Sequence, residues 1–347
     1  MADAAREVWP AELLELDRLL HQADPRLLQW QVVCRVRTCA AELPVHAITL
    51  GNAAHDAPAL GVFGGVHGLE RIGAEVVITF LRQVITRLRW DLTLQQQLRR
   101  LRLVFMPLVN PGGLLQGTRA NPSGVDLMRN APVDCAHGAP WLLGGQRASP
   151  SLPWYRGREG APMEPEAQAL CDVVQRELMS HHFAIVVDCH SGFGLSDRLW
   201  FPYAHTPRPV EHLAELQALA ELLDDSLPHH PYVIEPQSRQ YLAHGDLWDH
   251  LYAQALQRHP GHVLLPLTLE MGSWLWVKKN PRQFFSRHGL FNPLIGHRQQ
   301  RVLRRHVQLL DFIARVAYSH SLWRPLGAQR GAAHERGLDR WYRGARA

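Results

Sequence analysis

The chain has 347 residues, of which 46% are hydrophobic, which is enough for a packed globular core. Its formal charge of +5 is carried almost wholly by arginine and is spread among 32 acidic residues, so a nucleic-acid partner is not expected. No apolar run reaches the length of a membrane span, and the first ten residues lack the apolar core of a secretory signal. We therefore expect no membrane association.

The cysteines indicate the compartment. There are five, an odd number, and no two of them form a Cys-x-x-Cys pair. Scattered cysteines of this kind favour reduced thiols in a cytoplasmic protein over a disulfide framework. A cytoplasmic location is therefore the expectation.

The first part of the chain alternates apolar runs with helical spacing. The patterns predict a helix at 11–20, a strand at 45–50, a strand that ends at His67, a helix at 73–90 and a strand at 101–109. The strand before His67 closes on glycines, which permit tight backbone turns. The order strand, helix, strand is typical of a βαβ unit.

The second part of the chain continues the alternation after a long irregular stretch. The patterns predict a loop at 110–162, a helix at 164–181, a strand at 183–189, a helix at 211–223, a loop at 228–245, a strand at 263–269 and a helix at 295–318. Irregular chain as long as the first of these loops is uncommon without a functional role.

These elements predict a single-domain α/β/α sandwich with a mixed, mostly parallel central sheet. A helical lead-in at 1–40 would precede a catalytic domain at 41–320. Residues 321–347 form an arginine-rich tail, which we expect to be frayed or docked on the surface rather than a binding arm.

Three of the predicted strand ends carry residues that bind metals or move protons. They are His67 with Glu70, then His190, and then Glu270. Open α/β sheets place their sites at such edges. Two imidazoles and one carboxylate hold a catalytic zinc and leave one position open for water, so His67, Glu70 and His190 are the predicted ligands. Glu270 would be the general base for that water.

The motifs around these residues resemble the zinc carboxypeptidases of the carboxypeptidase A superfamily. They occur in family order over residues 45–320. The matching segments are His67-Gly-Leu-Glu70, Asn110-Pro-Gly-Gly, Arg119-Ala-Asn121, Gly124-Val-Asp126-Leu-Met-Arg129-Asn130, Glu164-Pro-Glu166, His190-Ser-Gly, Tyr241-x-x-x-Gly245 and Leu269-Glu270.

The resemblance implies further roles for individual residues. One zinc per chain would be bound, and Glu270 would activate water and pass the proton to the leaving amine. Arg119 would stabilise the oxyanion, and Asp126 would accept a hydrogen bond from His67 and hold its tautomer. Arg129 would bind a substrate carboxylate in bidentate fashion, and Tyr241 would close over the substrate on a mobile loop.

The chain departs from the family pattern at the predicted substrate pocket. Met128 stands where the family usually has an asparagine, so one hydrogen-bond donor to the terminal carboxylate is missing. Leu69 replaces an arginine of the pancreatic-type members. Counting from Tyr241, the position that lines the side-chain pocket falls on Trp248, which predicts a shallow apolar pocket. A slip of one residue would place Asp249 there and favour a basic side chain instead.

Three functions are compatible with this pattern. The first is a zinc metallocarboxypeptidase that removes a C-terminal residue from a peptide. The second is an amidohydrolase with the same zinc and base, acting on N-acyl amino acids or cell-wall peptide amides. The third, a catalytically silent binding protein, is disfavoured because the predicted ligands, Glu270 and Arg119 are all present. The sequence determines neither the natural substrate nor the oligomeric state.

The predicted ligand set can be tested by metal analysis. Purified protein should hold about one zinc at ligand distances of about 2.0–2.2 Å. His190→Ala should lose both the metal and the activity, because two protein ligands hold zinc poorly. Stoichiometric zinc in that variant, measured by elemental analysis, would show that His190 is not the third ligand.

Overall fold

A single eight-stranded sheet forms the centre of the protein in the computed structural model, which describes residues 8–136, 138–192, 194–258 and 261–344. Its strands are β1 (Leu28–Arg37), β2 (Glu42–Gly51), β3 (Ala59–Gly64), β4 (Arg102–Met106), β5 (Phe183–Gly192), β6 (Arg198–Phe201), β7 (Val233–Pro236) and β8 (Val263–Gly272). Their spatial order is β1-β2-β4-β3-β5-β8-β6-β7. The neighbours β4, β3, β5 and β8 are parallel, whereas β1–β2, β2–β4 and β6–β8 are antiparallel pairs. The predicted mixed, mostly parallel sheet is confirmed.

Helices lie before β1, between several of the strands and over much of the chain after β8. They are α1 (Ala11–Gln22), α2 (Arg71–Arg87), α3 (Leu92–Leu98), α4 (Pro111–Gln116), α5 (Pro165–Glu177), α6 (Leu213–Ser226), α7 (Leu247–Arg258), α8 (Trp274–Lys279), α9 (Gly296–Tyr318), α10 (His320–Trp323) and α11 (Gly327–Leu338). None of the helices in the described ranges combines the length and the apolarity needed to cross a bilayer.

The sheet is covered on both faces, because its central strands alternate their side chains between two hydrophobic cores. On β3, Leu60 and Val62 pack into one core with residues of α2, α6 and α9. Ala59 and Phe63 pack into the other core with residues of α5 and α7. Strands buried on both faces read as continuous apolar runs, which is why β3, β5 and β8 could be predicted from the sequence.

The strands that were not predicted from the sequence lie at the edges of the sheet or next to them. β6 and β7 have only four residues each, and Glu235 and Pro236 interrupt the apolar pattern of β7. β1 is an edge strand with mostly exposed or half-exposed residues, so it shows no apolar run. The predicted loop at 228–245 therefore contains a strand, and α7 follows it directly.

The two ends of the chain pack against the domain. β1 pairs with β2 along its length, and Trp341, which is 2% exposed, donates from its indole Nε1 to the Ile234 carbonyl at 2.7 Å. Arginines of the tail pair with acidic residues of α6 in the ion pairs Arg330–Glu215, Arg336–Glu221 and Arg340–Asp224. The boundaries at 40/41 and 320/321 stay a prediction, and residues 1–7 and 345–347 lie outside the described ranges.

Two buried histidines should make the fold sensitive to acid. Burial lowers the pKa of His46 and of His306 to about 4 in the folded protein. Since the unfolded value is about 6.5, stability is fully present above that pH and is lost as pH falls toward 4, by about 3 kcal/mol per histidine. Chemical unfolding of His46→Gln between pH 7 and 4 should show a flatter pH dependence than wild type.

An exposed histidine provides the matched control. His55 is solvent-exposed, and His55→Gln should leave the wild-type pH dependence of the unfolding free energy in place. Parallel curves for wild type and His46→Gln would contradict the assignment.

Candidate metal centre

The predicted site lies at the carboxyl edge of three neighbouring parallel strands. β3 ends at Gly64, and the turn after it delivers His67 and Glu70 before α2 begins. β5 carries His190 near its end, where the register pairs it with Glu270 of β8. Residues paired across neighbouring strands project to the same face of the sheet. The register therefore brings His190 and Glu270 to one side, next to the turn that carries the other candidate ligands.

His67, Glu70 and His190 form a buried cluster whose candidate ligand atoms all lie within 4.8 Å of one another. Their exposed fractions are 3%, 3% and 4%. His190 Nδ1 lies 3.2 Å from Glu70 Oε2, and the buried Nδ1 of His67 has no hydrogen-bond partner among the described residues. Two imidazoles and one carboxylate are a usual ligand set of catalytic zinc. The residues therefore fit a zinc ion.

Arg119 lies against this cluster. Its guanidinium donates through Nε to Asp126 Oδ2 at 2.8 Å, through Nη1 to Glu70 Oε1 at 3.1 Å and through Nη2 to His67 Nε2 at 2.7 Å. Burial opposes its charge, but Asp126 and Glu70 raise the pKa of Arg119 above its usual value. Arg119 is thus a fixed positive charge beside the candidate ligands, as the predicted role in oxyanion binding requires.

Asp126 contacts Arg119 more closely than His67. Its Oδ1 lies 3.8 Å from His67 Nδ1, which is longer than a hydrogen bond. Instead, the carboxylate accepts from Arg119 Nε and, at 3.0 Å, from the Met128 backbone N–H. In this structure Asp126 positions Arg119 and faces His67 as a nearby negative charge.

Asp188 is the partner of the third candidate ligand. His190 Nε2 lies 2.8 Å from Asp188 Oδ2, and the same oxygen accepts from Trp248 Nε1 at 2.9 Å. Although burial opposes protonation, Asp188 and Glu70 raise the pKa of His190 well above its usual range. Asp188 was not among the predicted site residues. Its position two residues before His190, on the same face of β5, was the signal that could have identified this contact.

The cluster opens into a cavity of about 1180 Å³. We call it the site cavity. Its wall includes the three candidate ligands, Arg119 and Glu270, together with Tyr241, Trp200, Gln240, Arg198, Trp274 and Phe284. Of the predicted substrate-binding residues, only Tyr241 lines it.

The prediction that Trp248 lines the substrate pocket is wrong. Trp248 is 2% exposed, packs edge-on against Phe63 at 5.2 Å between ring centroids and donates to Asp188. The alternative, Asp249, is also buried and accepts from the Ala204 backbone N–H. Both residues lie in the first turn of α7, which packs against the sheet, so neither contacts the site cavity.

Met128 and Arg129 also lie behind the cavity wall. Met128 packs in a hydrophobic core and is 5% exposed, which corrects the prediction that it lines the substrate site. Arg129 is 2% exposed and donates from Nη2 to the Tyr241 hydroxyl at 3.2 Å. Tyr241 therefore stands between Arg129 and the site cavity, and the bidentate role of Arg129 stays a prediction.

Glu270 completes the arrangement at the end of β8. Burial, followed by the charge of Glu70, raises the pKa of Glu270 to about 8. A Cβ atom added at Gly192, on the neighbouring strand, would lie 1.9 Å from Glu270 Oε1. Only glycine lets the carboxylate occupy this position. Gly192 belongs to the His190-Ser-Gly motif, but the need for glycine at this position becomes apparent only from the place of Glu270 on the neighbouring strand.

The fold and the site define a candidate metal centre of two histidines and one glutamate with a further carboxylate, Glu270, beside it. The family model for zinc carboxypeptidases matches residues 31–268, which is more than half of the chain. The chain belongs to the zinc carboxypeptidase family. No curated protein matches the sequence.

Solved structures agree at the level of the fold. The protein is similar to thrombin-activatable fibrinolysis inhibitor, with a TM-score of 0.65 and 17% identity over 87% of this chain and 72% of that one. The bovine form, in complex with tick carboxypeptidase inhibitor, gives 0.63 and 17% over 89% and 95%. Carboxypeptidase A from Helicoverpa armigera gives 0.52 and 15% over 74% and 62%.

Adding one methyl group at Gly192 should displace the Glu270 carboxylate without disturbing the metal ligands. We expect Gly192→Ala to keep its zinc and to lower kcat by about 10²-fold, the cost of a misplacement of about 1 Å at a reacting group. The measurements are zinc content and single-substrate kinetics.

Gly194→Ala is the control, because the nearest atom to its added Cβ is the Ser196 carbonyl oxygen at 3.3 Å. Equal kinetics in the two variants would show that the position of Glu270 does not depend on the space at Gly192.

Proposed function

We propose that the protein is a zinc-dependent amide hydrolase, and specifically a metallocarboxypeptidase that removes the C-terminal residue of a peptide. The observation that carries the proposal is the convergence of His67, Glu70 and His190 with Glu270 at one end of the site cavity. Membership of the zinc carboxypeptidase family supports the same chemistry.

His67, Glu70 and His190 would hold the zinc. When bound, zinc supplies Lewis-acid polarisation of the scissile carbonyl and lowers the pKa of water. The ligand chemistry fits this role, and the close approach of Glu70 to His190 indicates that the ligands are already assembled.

Glu270 would act as the proton carrier. Its carboxylate, which lies beside the candidate ligands at the end of β8, would accept a proton from water at Oε and later give that proton to the leaving amine. Arg119 would donate to the carbonyl oxygen as negative charge develops there, because Asp126 already fixes its guanidinium at 2.8 Å.

Tyr241 would present a hydroxyl donor to the substrate. Its oxygen accepts from Arg129 Nη2, so its own proton remains available for a group in the cavity. The guanidinium of Arg129 lies 5.8 Å from the centre of the Tyr241 ring. A terminal carboxylate could therefore be bound through Tyr241, or by Arg129 directly once Tyr241 moves.

One observation favours the amidohydrolase as the second candidate. Neither Met128 nor Arg129 lines the site cavity, so the usual site for a terminal carboxylate is covered here. Substrates would then be N-acyl amino acids or cell-wall peptide amides. Matched peptides with free and amidated C-termini separate the two functions, because a carboxypeptidase cleaves only the free acids.

A cytoplasmic location stays a prediction.

Glu270→Gln tests the chemistry apart from the metal. The variant should retain zinc and fold, and it should lower turnover of N-blocked dipeptides by at least about 10²-fold, because the proton acceptor is lost. Glu211→Gln removes an exposed carboxylate and is the control. Near-normal turnover in Glu270→Gln would remove this residue from the mechanism.

A further inference from the structure

The site cavity carries positive charge away from the metal cluster. Apart from Arg119, its basic residues are Arg198 and Lys278. Among the described residues of its wall, the only carboxylates are Glu70 and Glu270, which belong to the catalytic cluster. A substrate group that lies away from the cluster therefore meets cations and aromatic rings.

Arg198 holds a defined position relative to the catalytic residues. It opposes Glu270 in the antiparallel pair of β6 and β8, and Glu270 opposes His190 in the parallel pair of β8 and β5. The three residues form one row across the sheet. With neighbouring strands about 4.8 Å apart, the Arg198 backbone lies about 10 Å from that of His190.

The order of these three residues in the row defines the direction in which a substrate would lie in the site cavity. The scissile carbonyl would lie at the ligand cluster, and the leaving amine would meet Glu270. The released residue then extends past Glu270 toward Arg198, the next residue in the row.

An ion pair with Glu235 holds the Arg198 side chain in place. Its Nη1 donates to Glu235 Oε1 at 2.5 Å, and the same oxygen accepts from Gln240 Nε2 at 2.9 Å and from Trp200 Nε1 at 3.4 Å. The Glu235 side chain is 9% exposed and that of Arg198 is 24% exposed. Among the described residues, Nε and Nη2 of Arg198 have no hydrogen-bond partner. The guanidinium is thus held in one orientation, and its Nε and Nη2 groups can donate to a ligand.

We propose that Arg198 recognises a carboxylate on the released residue of the substrate, an inference that rests on the proposed function. A guanidinium with two free N–H groups matches a carboxylate in bidentate geometry, and Arg129 does not reach the site cavity in this structure. The carboxylate is either the C-terminal group or an acidic side chain. A basic side chain at this position is repelled.

Four peptides that share one N-blocked residue distinguish the two sources. They are benzoyl-Ala-Glu, benzoyl-Ala-Gln, benzoyl-Ala-Lys and the α-amide of benzoyl-Ala-Glu. If the side chain is recognised, Arg198→Gln lowers the kcat/KM ratio of Glu over Gln by about tenfold or more. If the terminus is recognised, the ratio of free acid over α-amide falls instead.

Three variants control the experiment. Lys279→Gln removes a nearby exposed cation that does not line the site cavity and should leave both ratios within threefold of wild type. Arg198→Lys keeps the charge but loses the planar pair of donors, so its ratios should lie between those of wild type and Arg198→Gln. If Arg198→Gln unfolds because Glu235 is left unpaired, the double variant Arg198→Gln/Glu235→Gln replaces it, with thermal unfolding as the check.

Two results would overturn the proposal. The first is that both ratios stay within threefold of wild type in Arg198→Gln. The second is that wild type prefers benzoyl-Ala-Lys, because a guanidinium that receives the released residue would repel a basic side chain.

Failure of the proposed function is a separate outcome. If zinc-loaded wild type cleaves none of the peptides, calorimetric titration of N-acetylglutamate and its two mono-amides decides the role of Arg198 alone. An affinity at least tenfold weaker in Arg198→Gln supports carboxylate recognition. Equal binding by the two proteins, or no binding by wild type, rejects it.

Discussion

The candidate metal site depends on one buried carboxylate, that of Glu70, remaining charged. Glu70 is 3% exposed, so burial alone would protonate it. His67 and His190 reverse that effect and lower the pKa of Glu70, while the Ser191 backbone N–H donates to Oε2 at 3.0 Å. A buried charge is stable only when it is paired and hydrogen-bonded. The surrounding loops and strand ends supply those partners.

The partners of Glu70 are themselves held by further charges, and these alternate in sign. Arg119 contacts Glu70 and is positioned by Asp126, and His190 contacts Glu70 and is positioned by Asp188. Burial and the nearby Arg119 charge lower the pKa of His67 well below its usual range. Asp188 and Glu70 raise the pKa of His190. The two imidazoles are thus shifted in opposite directions although both face the same carboxylate, and a bound metal ion would require both to be neutral.

The register of the strands sets the order in which charged residues follow one another along the site cavity. His190, Glu270 and Arg198 occupy one row, so a candidate metal ligand, the proposed proton acceptor and a cation follow one another at strand spacing. Gly192 leaves the space that Glu270 occupies, and Glu235 orients Arg198 from the neighbouring strand. The covered position of Arg129 behind Tyr241 distinguishes this cavity from what the motif pattern alone implies.

The central strands, the candidate ligand set and the candidate base could be predicted from the amino-acid sequence alone. These signals are local: strands buried on both faces are continuous apolar runs, and His67, Glu70, His190 and Glu270 follow such runs directly. The positions and contacts of Trp248, Asp188, Gly192 and Arg198 became apparent only from the three-dimensional packing. Spacing along the chain suggested that Trp248 lines the pocket, but the packing of α7 turns it into the core, where it donates to Asp188. Arg198 opposes Glu270 because two strands that are distant in sequence pair in one register. Such pairing is set by packing across the whole sheet, which no local pattern encodes.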